Sequence, residues 1–209
     1  MQRLDRILSE AGVASRKELR AMIRAGRVTV DGAAVTDESR KFDETAVRVT
    51  VDGSPVRLRG PVLILLHKPA GYLTAADDPK AKTVMDLVPE AYRKLGVMPV
   101  GRLDKDTEGL LLLTNDGDLA FKLTHPNHNV FKTYIAEVAG FLTMSEAKKL
   151  ERGVDIGKHI TAPAQVEIIS QSDSTSVAQI KISEGKNRQV RRMFEAVGHR
   201  VVALERTAI

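Results

Sequence analysis

The sequence predicts an α+β protein in two parts. Apolar residues near the N terminus recur at helical spacing and then switch to alternation around two Asp-Gly pairs. A stretch punctuated by Gly and Pro follows, and beyond it short apolar or alternating runs are interleaved with short helical segments. At 209 residues, 43% of them apolar and 28% charged, the chain has room for a small domain and a medium one. The absence of cysteine excludes disulfides and thiolate metal sites and fits a reducing cytoplasm, the expected location. No run approaches the roughly 18 apolar residues of a membrane helix, and residues 1–6 are not followed by a signal-peptide apolar core, so no membrane association is expected. A net charge of +5 favours a polyanionic partner, weakly on its own.

The first helix is marked by Leu4, Ile7, Leu8 and Ala11, with Gly12 as its stop. Ser15 and Glu18 form a capping box for a second helix with Leu19, Met22 and Ile23 on its apolar stripe and Gly26 beyond its end. Its other face is basic: Arg16, Lys17, Arg20, Arg24 and Arg27 fall among a single acid, Glu18. A charge run is usually a solvated face, but one of nearly pure sign is better read as an RNA contact. Val28 and Val30 alternate into Asp31-Gly32, and Val47, Val49 and Val51 into Asp52-Gly53, which predicts two hairpins. Residues 53–61 have the composition of a linker, and the expected division is 1–58, a linker at 59–61, and 62–209.

The second domain opens with a buried strand at 62–66, followed by the turn His67-Lys68-Pro69-Ala70-Gly71-Tyr72. Thr83 caps a short helical segment, and Pro99 restricts the approach to a polar loop at 101–109. That loop feeds four leucines, 110–113, read as a strand buried on both faces and ended by Asn115-Asp116-Gly117. Carboxylates at the mouth of a buried element sit where low dielectric and fixed dipoles set their reactivity, which singles out Asp104. A short helix at 119–124 is broken by His125-Pro126-Asn127-His128; Pro126 spoils any alignment of the two histidines as metal ligands. Residues 131–138 alternate as a strand with Lys132 and Tyr134 on one face. A helix at 144–152 and strands at 161–169 and 177–182 lead to the cation-rich segment 183–194.

Gly101-Arg102-Leu103-Asp104-Lys105-Asp106-Thr107-Glu108-Gly109 with its leucine run and Asn-Asp-Gly turn resembles the signature of the small-subunit and large-subunit ribosomal RNA pseudouridine synthases. Lys68-Pro69 to Tyr72, the Lys132-x-Tyr134 pair and Glu184-Gly185-Lys186-Asn187-Arg188-Gln189-Val190-Arg191-Arg192 are similar to further segments of that family. Residues 1–58 resemble the alpha-L RNA-binding domain common at its N terminus. The resemblance implies a mixed, largely antiparallel catalytic sheet, with Asp104 as catalytic residue, Tyr134 stacking on the target uracil and Arg102 holding the RNA around the extruded base. Stacking is physically apt, since a flipped base needs a platform to replace lost neighbours. One cation of 186–192 should pair with Asp104, and Arg191 is favoured over Arg188. Lys186, Arg188 and Arg192 then read as phosphate contacts, and Lys132 of the Lys-x-Tyr pair as a further substrate-binding residue.

The implied reaction, uridine to pseudouridine, needs no cofactor and no metal. Asp104 either attacks the sugar at its anomeric carbon or removes a sugar proton, and the residues do not choose between these routes. The implied partner is ribosomal RNA or a pre-ribosomal particle, in ribosome biogenesis, and a monomer is expected. The spelling of residues 105–108 leans to 16S rRNA, that of 187–189 to 23S; the small subunit is the expectation. Two readings from other classes stand beside this one: a metal-dependent transferase using Asp104-x-Asp106, and a non-catalytic ribosome-assembly module. Family members continue past the segment 204–207, so the chain resembles a shortened member and an exposed sheet edge is expected near 201–204.

Overall fold

A computed structural model describes residues 1–58 and 60–209. The linker expected at 59–61 includes Arg59, which lies outside the described residues. Two compact units emerge: Met1–Ile64 with Leu87–Met98 and Thr114–Gly117, and Leu65–Asp86 with Pro99–Leu113 and Asp118–Ile209.

In the first unit a two-residue strand β1 (Gln2–Arg3) precedes helix α1 (Leu4–Glu10), and helix α2 (Arg16–Arg24) follows. The capping box forms as the sequence predicts, Glu18 N donating to Ser15 Oγ and Ser15 N to Glu18. Strands β2 (Val28–Val30), β3 (Ala33–Ala34), β4 (Lys41–Phe42), β5 (Val49–Val51) and β6 (Ser54–Pro55) complete it, with β3-β2-β5-β6 as one sheet and β4 paired to β1. Both hairpins turn on positive φ, Asp31 and Gly32 in one, Asp52 and Gly53 in the other, the geometry whose twist matches that of the strands. Leu4, Leu8, Leu19 and Ile23 bury against Val28, Val30, Val49 and Val51 as this unit's core.

The turn signal Asn115-Asp116-Gly117 does more than end a strand. Asn115 Nδ2 donates to the Glu10 carbonyl (3.1 Å) and the Leu95 carbonyl (3.2 Å), while its Oδ1 accepts from Val62 N (2.8 Å). Arg6 pairs with Asp116 at 2.7 Å. One amide thus ties four chain segments of the first unit, which is why residues 114–117 group with the N-terminal part.

The main sheet runs through β7 (Leu63–Lys68), β8 (Met98–Val100), β9 (Glu108–Thr114), β10 (Lys132–Ala139), β11 (Gln165–Gln171), β12 (Thr175–Ile182) and β13 (Val201–Ala208). Their order is β11-β12-β10-β13-β9-β7, with β8 on β9. It is mixed and largely antiparallel: β11-β12, β12-β10 and β10-β13 are antiparallel, β13-β9 parallel. Helices α3 (Glu90–Arg93), α4 (Gly117–Thr124), α5 (Met144–Arg152) and α6 (Gln189–Ala196) connect the strands. Ala136, Val138, Ala178 and Ile180 of the sheet pack with Leu150 of α5 and Met193 and Phe194 of α6.

Three expectations are corrected. Residues 201–204 are no sheet edge, since β13 lies between β10 and β9. The strand expected at 161–169 starts only at Gln165, because the amides of Thr161, Ala162 and Ala164 are given to Val154, Glu184 and Glu151 and Pro163 has none. The run at 62–66 buries one face, not two: β7 ends the sheet path, and Leu63 and Leu65 point outward.

Candidate active site

The loop before β9 is anchored from beneath. Thr74 Oγ1 donates to the Leu103 carbonyl (2.7 Å) and accepts from Leu103 N (3.1 Å), and Gly71 N donates to the Lys105 carbonyl (2.8 Å). Lys68, fully buried at the end of β7, directs its ammonium to the carbonyls of Pro69 (3.1 Å), Lys105 (3.3 Å) and Thr107 (2.8 Å). All three of its donors are used. Burial pushes this lysine below its ordinary pKa, against the nearby charges of Asp106, Glu108 and Asp104. Gly109 lies so close to β13 that a Cβ would meet the Arg206 carbonyl at 2.3 Å, and its φ is +98°. A side chain there would push the loop off the sheet.

So held, the loop turns at Thr107, whose amide donates to the Asp104 carbonyl (3.1 Å). Asp104, half-buried, lines a cleft of about 230 Å³ together with Arg102, Tyr134, Lys186, Arg188 and Leu204. Its carboxylate has no ion-pair partner within 4.0 Å among the described residues. Tyr134, on β10, has its ring packed partly against Val84, Leu103 and Leu111. Arg102, Lys186 and Arg188 are exposed at the rim.

The expected cation for Asp104 goes elsewhere. Arg188 makes a two-pronged pair with Asp106 (3.1 and 3.0 Å), and Arg191 Nη2 lies 3.4 Å from the same carboxylate while donating to the Asp106 carbonyl (2.9 Å). Arg191 also reaches the Val201 carbonyl (3.4 Å) and is absent from the cleft lining. The reason is register. The turn at Thr107 aims Asp106 at α6 and leaves Asp104 facing the cleft. Burial alone would raise Asp106, but hydrogen bonding from Arg188 and the charge of Arg191 hold it below the usual carboxylate range. Arg188 takes a left-handed backbone, φ 49°, at the start of α6. Arg192 donates to the Asn187 carbonyl (3.5 Å) and sits with Arg191 and His199 on an adjoining surface, not in the cleft.

Lys132 lines a second cavity beside the cleft. Arg16, Lys17, Arg20, Arg24 and Arg27 all lie in the first unit, and acids the sequence did not associate with them meet three of them: Arg20 pairs with Asp5, Arg24 with Glu38, Arg27 with Asp52. His125 and His128 pack on Phe121, with ring centroids 4.5 and 5.7 Å away. Sequence reasoning missed two residues. Lys68 reads from the sequence only as part of the turn at 67–72, though a lysine closing an apolar run is the available signal; Arg206 gives none.

Comparison with known proteins shows the family of the chain. Residues 62–196 match the RNA pseudouridylate synthase family and residues 2–47 the S4 domain. The chain belongs to the RNA pseudouridylate synthase family. It is a pseudouridine synthase with an N-terminal S4 domain. Among its relatives is the ribosomal large subunit pseudouridine synthase B of Bacillus subtilis, 44% identical over 99% of this chain and 84% of that one. An uncharacterized RNA pseudouridine synthase of the same organism is 41% identical over 99% and 87%. A crystal structure of a pseudouridylate synthase superposes with a TM-score of 0.64 at 30% identity, covering 99% of this synthase and 87% of the other chain.

Proposed function

We propose that this synthase isomerises a uridine of large-subunit ribosomal RNA, acting as a cytoplasmic monomer on the RNA or a pre-ribosomal particle. Residues 1–58 would bind RNA and residues 62–209 carry out the reaction. Support for the target comes from the 44% identical relative named for the large subunit, which outweighs the small-subunit lean drawn from residues 105–108. The observation that carries the site is the half-buried Asp104 carboxylate, uncommitted to any cation among the described residues, in one cleft with Tyr134.

Asp104 is the reacting carboxylate and Tyr134 the platform for the extruded base. The glycosidic N1–C1′ bond breaks and a C5–C1′ bond forms; the C5 proton is lost and N1 regains one, so no oxidant or net acid is consumed. As nucleophile, Asp104 forms an ester with C1′ and is released when C5 attacks; as base, it takes the C2′ proton and returns it. Arg102 and Lys186, exposed at the rim, would hold RNA phosphates around the cleft, and Arg188 would do so while keeping its pair with Asp106. Arg191 supports the loop through Asp106 and does not pair with Asp104.

The test maps pseudouridine in 16S and 23S rRNA from a strain lacking this protein, complemented with wild type or Asp104→Asn. A 23S position lost on deletion, restored by wild type and not by the variant, is expected. A 16S position behaving that way would overturn the large-subunit target.

A further inference from the structure

The strongest unassigned feature lies next to the cleft. A cavity of about 380 Å³ shares Arg102, Tyr134, Gly185 and Lys186 with it and is walled further by Lys132 and Arg206. Tyr134 and Arg206 are direct partners across β10 and β13, and Lys132 lies two residues from Tyr134, so these three side chains share one face of the sheet. Arg206 is only 4% exposed. Its Nε donates to the Leu110 carbonyl (2.8 Å), while its buried Nη2 has no partner. Lys132, half-buried, reaches only the Val130 carbonyl (2.6 Å).

Neither cation has a carboxylate within 4.0 Å among the described residues. The one acidic side chain on the cavity wall among the described residues, Glu184, is already engaged by Ala162 N (2.8 Å), His159 (2.9 Å) and Gln189 (2.7 Å). A buried guanidinium and a half-buried ammonium on one face, with no acid between them, raise each other's cost; burial and the charge of Arg206 together lower the pKa of Lys132. An anion entering the cavity relieves both. Because Tyr134 and its neighbours Arg102 and Lys186 line both the cleft and this cavity, a nucleotide whose base lies on Tyr134 brings its own backbone beside it.

We propose that this cavity seats a backbone phosphate flanking the target uridine, with Lys132 as the direct contact and Arg206 as the positioning residue behind it. This rests on the reading of the cleft as the uridine site. Arg206 is closed off from solvent, so it acts through Lys132, keeping the seat electropositive and the ammonium turned toward the phosphate.

The test uses the full chain and a short RNA substrate carrying a single neutral methylphosphonate, moved one phosphate at a time around the target. In wild type one flanking position should lose about 10-fold to 100-fold in kcat/KM, the worth of a charge-assisted contact. Lys132→Met should lose a similar factor on unmodified RNA and little more on that methylphosphonate. Arg206→Lys should retain most of the sensitivity and Arg206→Gln lose it; should Arg206→Gln fail to fold, Lys132→Met alone decides. Equal methylphosphonate penalties in wild type and Lys132→Met at every position would overturn the seat. Wild type inactive on every uridine-containing RNA would instead remove the reading of the cleft.

Discussion

Arg20, Arg24 and Arg27 of the first unit and Arg102, Lys132 and Lys186 beside the cleft are equally conspicuous in the sequence, and the structure treats these two sets in opposite ways. On the first unit, Arg20 shares the buried Asp5 with Arg3, Arg24 lies 2.6 Å from Glu38, and Arg27 pairs with Asp52. Arg24 holds Glu38 down to about 2. Asp5 stays below the usual range although burial would raise it, because Arg3 and Arg20 donate to it. Around the cleft, Arg102, Lys132 and Lys186 have no such acid among the described residues. A charge neutralised by its own domain is a structural charge first; one left without an acid is available to a polyanion. The richest run of basic residues is therefore not the richest source of free positive charge.

The largest test of this contrast is chemical. Asp104→Asn should lower turnover at least about 10³-fold while leaving RNA affinity within about twofold, since the amide keeps the shape but is neither nucleophile nor base. Single-turnover rates and filter binding measure the two sides. Asp106→Asn should cost only about tenfold, because its pair with Arg188 is half-exposed and worth little in isolation. Equal losses would mean that the loop's position, not the Asp104 carboxylate, limits the rate.

Lys68 represents a third fate for a cation, satisfied by carbonyls in place of acids. Replacement by Met leaves the carbonyls of Pro69, Lys105 and Thr107 without their donor and should lower unfolding free energy by about 2 to 3 kcal/mol. Urea unfolding with an unchanged m-value reads it out. A more stable Met variant would show that the desolvation of the ammonium outweighs its hydrogen bonds.

Much of this was legible beforehand, for identifiable reasons. The capping box, both Asp-Gly hairpins and the leucine strand are local devices, in which residues a few positions apart carry the whole signal. The cleft's contents were also legible, because Asp104, Tyr134 and Lys186 each sit in a recognisable segment. What escaped depends on partners remote in sequence. Arg188 and Arg191 lie more than eighty residues from Asp106, and no spacing rule distinguishes Asp106 from Asp104 as their partner. Asp5 and Glu38 likewise neutralise α2 from other elements, and Asn115 read as a turn residue because its three partners come from three distant segments.

The smallest expected effect bears most directly on the contrast. Arg16 and Lys17 of α2 are exposed and have no ion-pair partner among the described residues, whereas Arg24 at its end and Arg27 beyond it do. If each free cation meets one phosphate, Arg16→Ala with Lys17→Ala removes two counterion-release terms of roughly 0.7 to 0.9 each, a slope change of about 1.4 to 1.8 in log affinity against log salt. Between about 50 and 200 mM salt, wild type would then lose roughly 7-fold to 12-fold more affinity than this double variant. Arg24→Ala with Arg27→Ala should change the slope by well under half as much, because each arginine already carries its own carboxylate. Turnover at saturating RNA should hold in both, since these contacts are made alike in ground and transition states. Equal slope changes in the two variants would show that RNA displaces the internal acids and that pairing within the domain does not withhold an arginine from its partner.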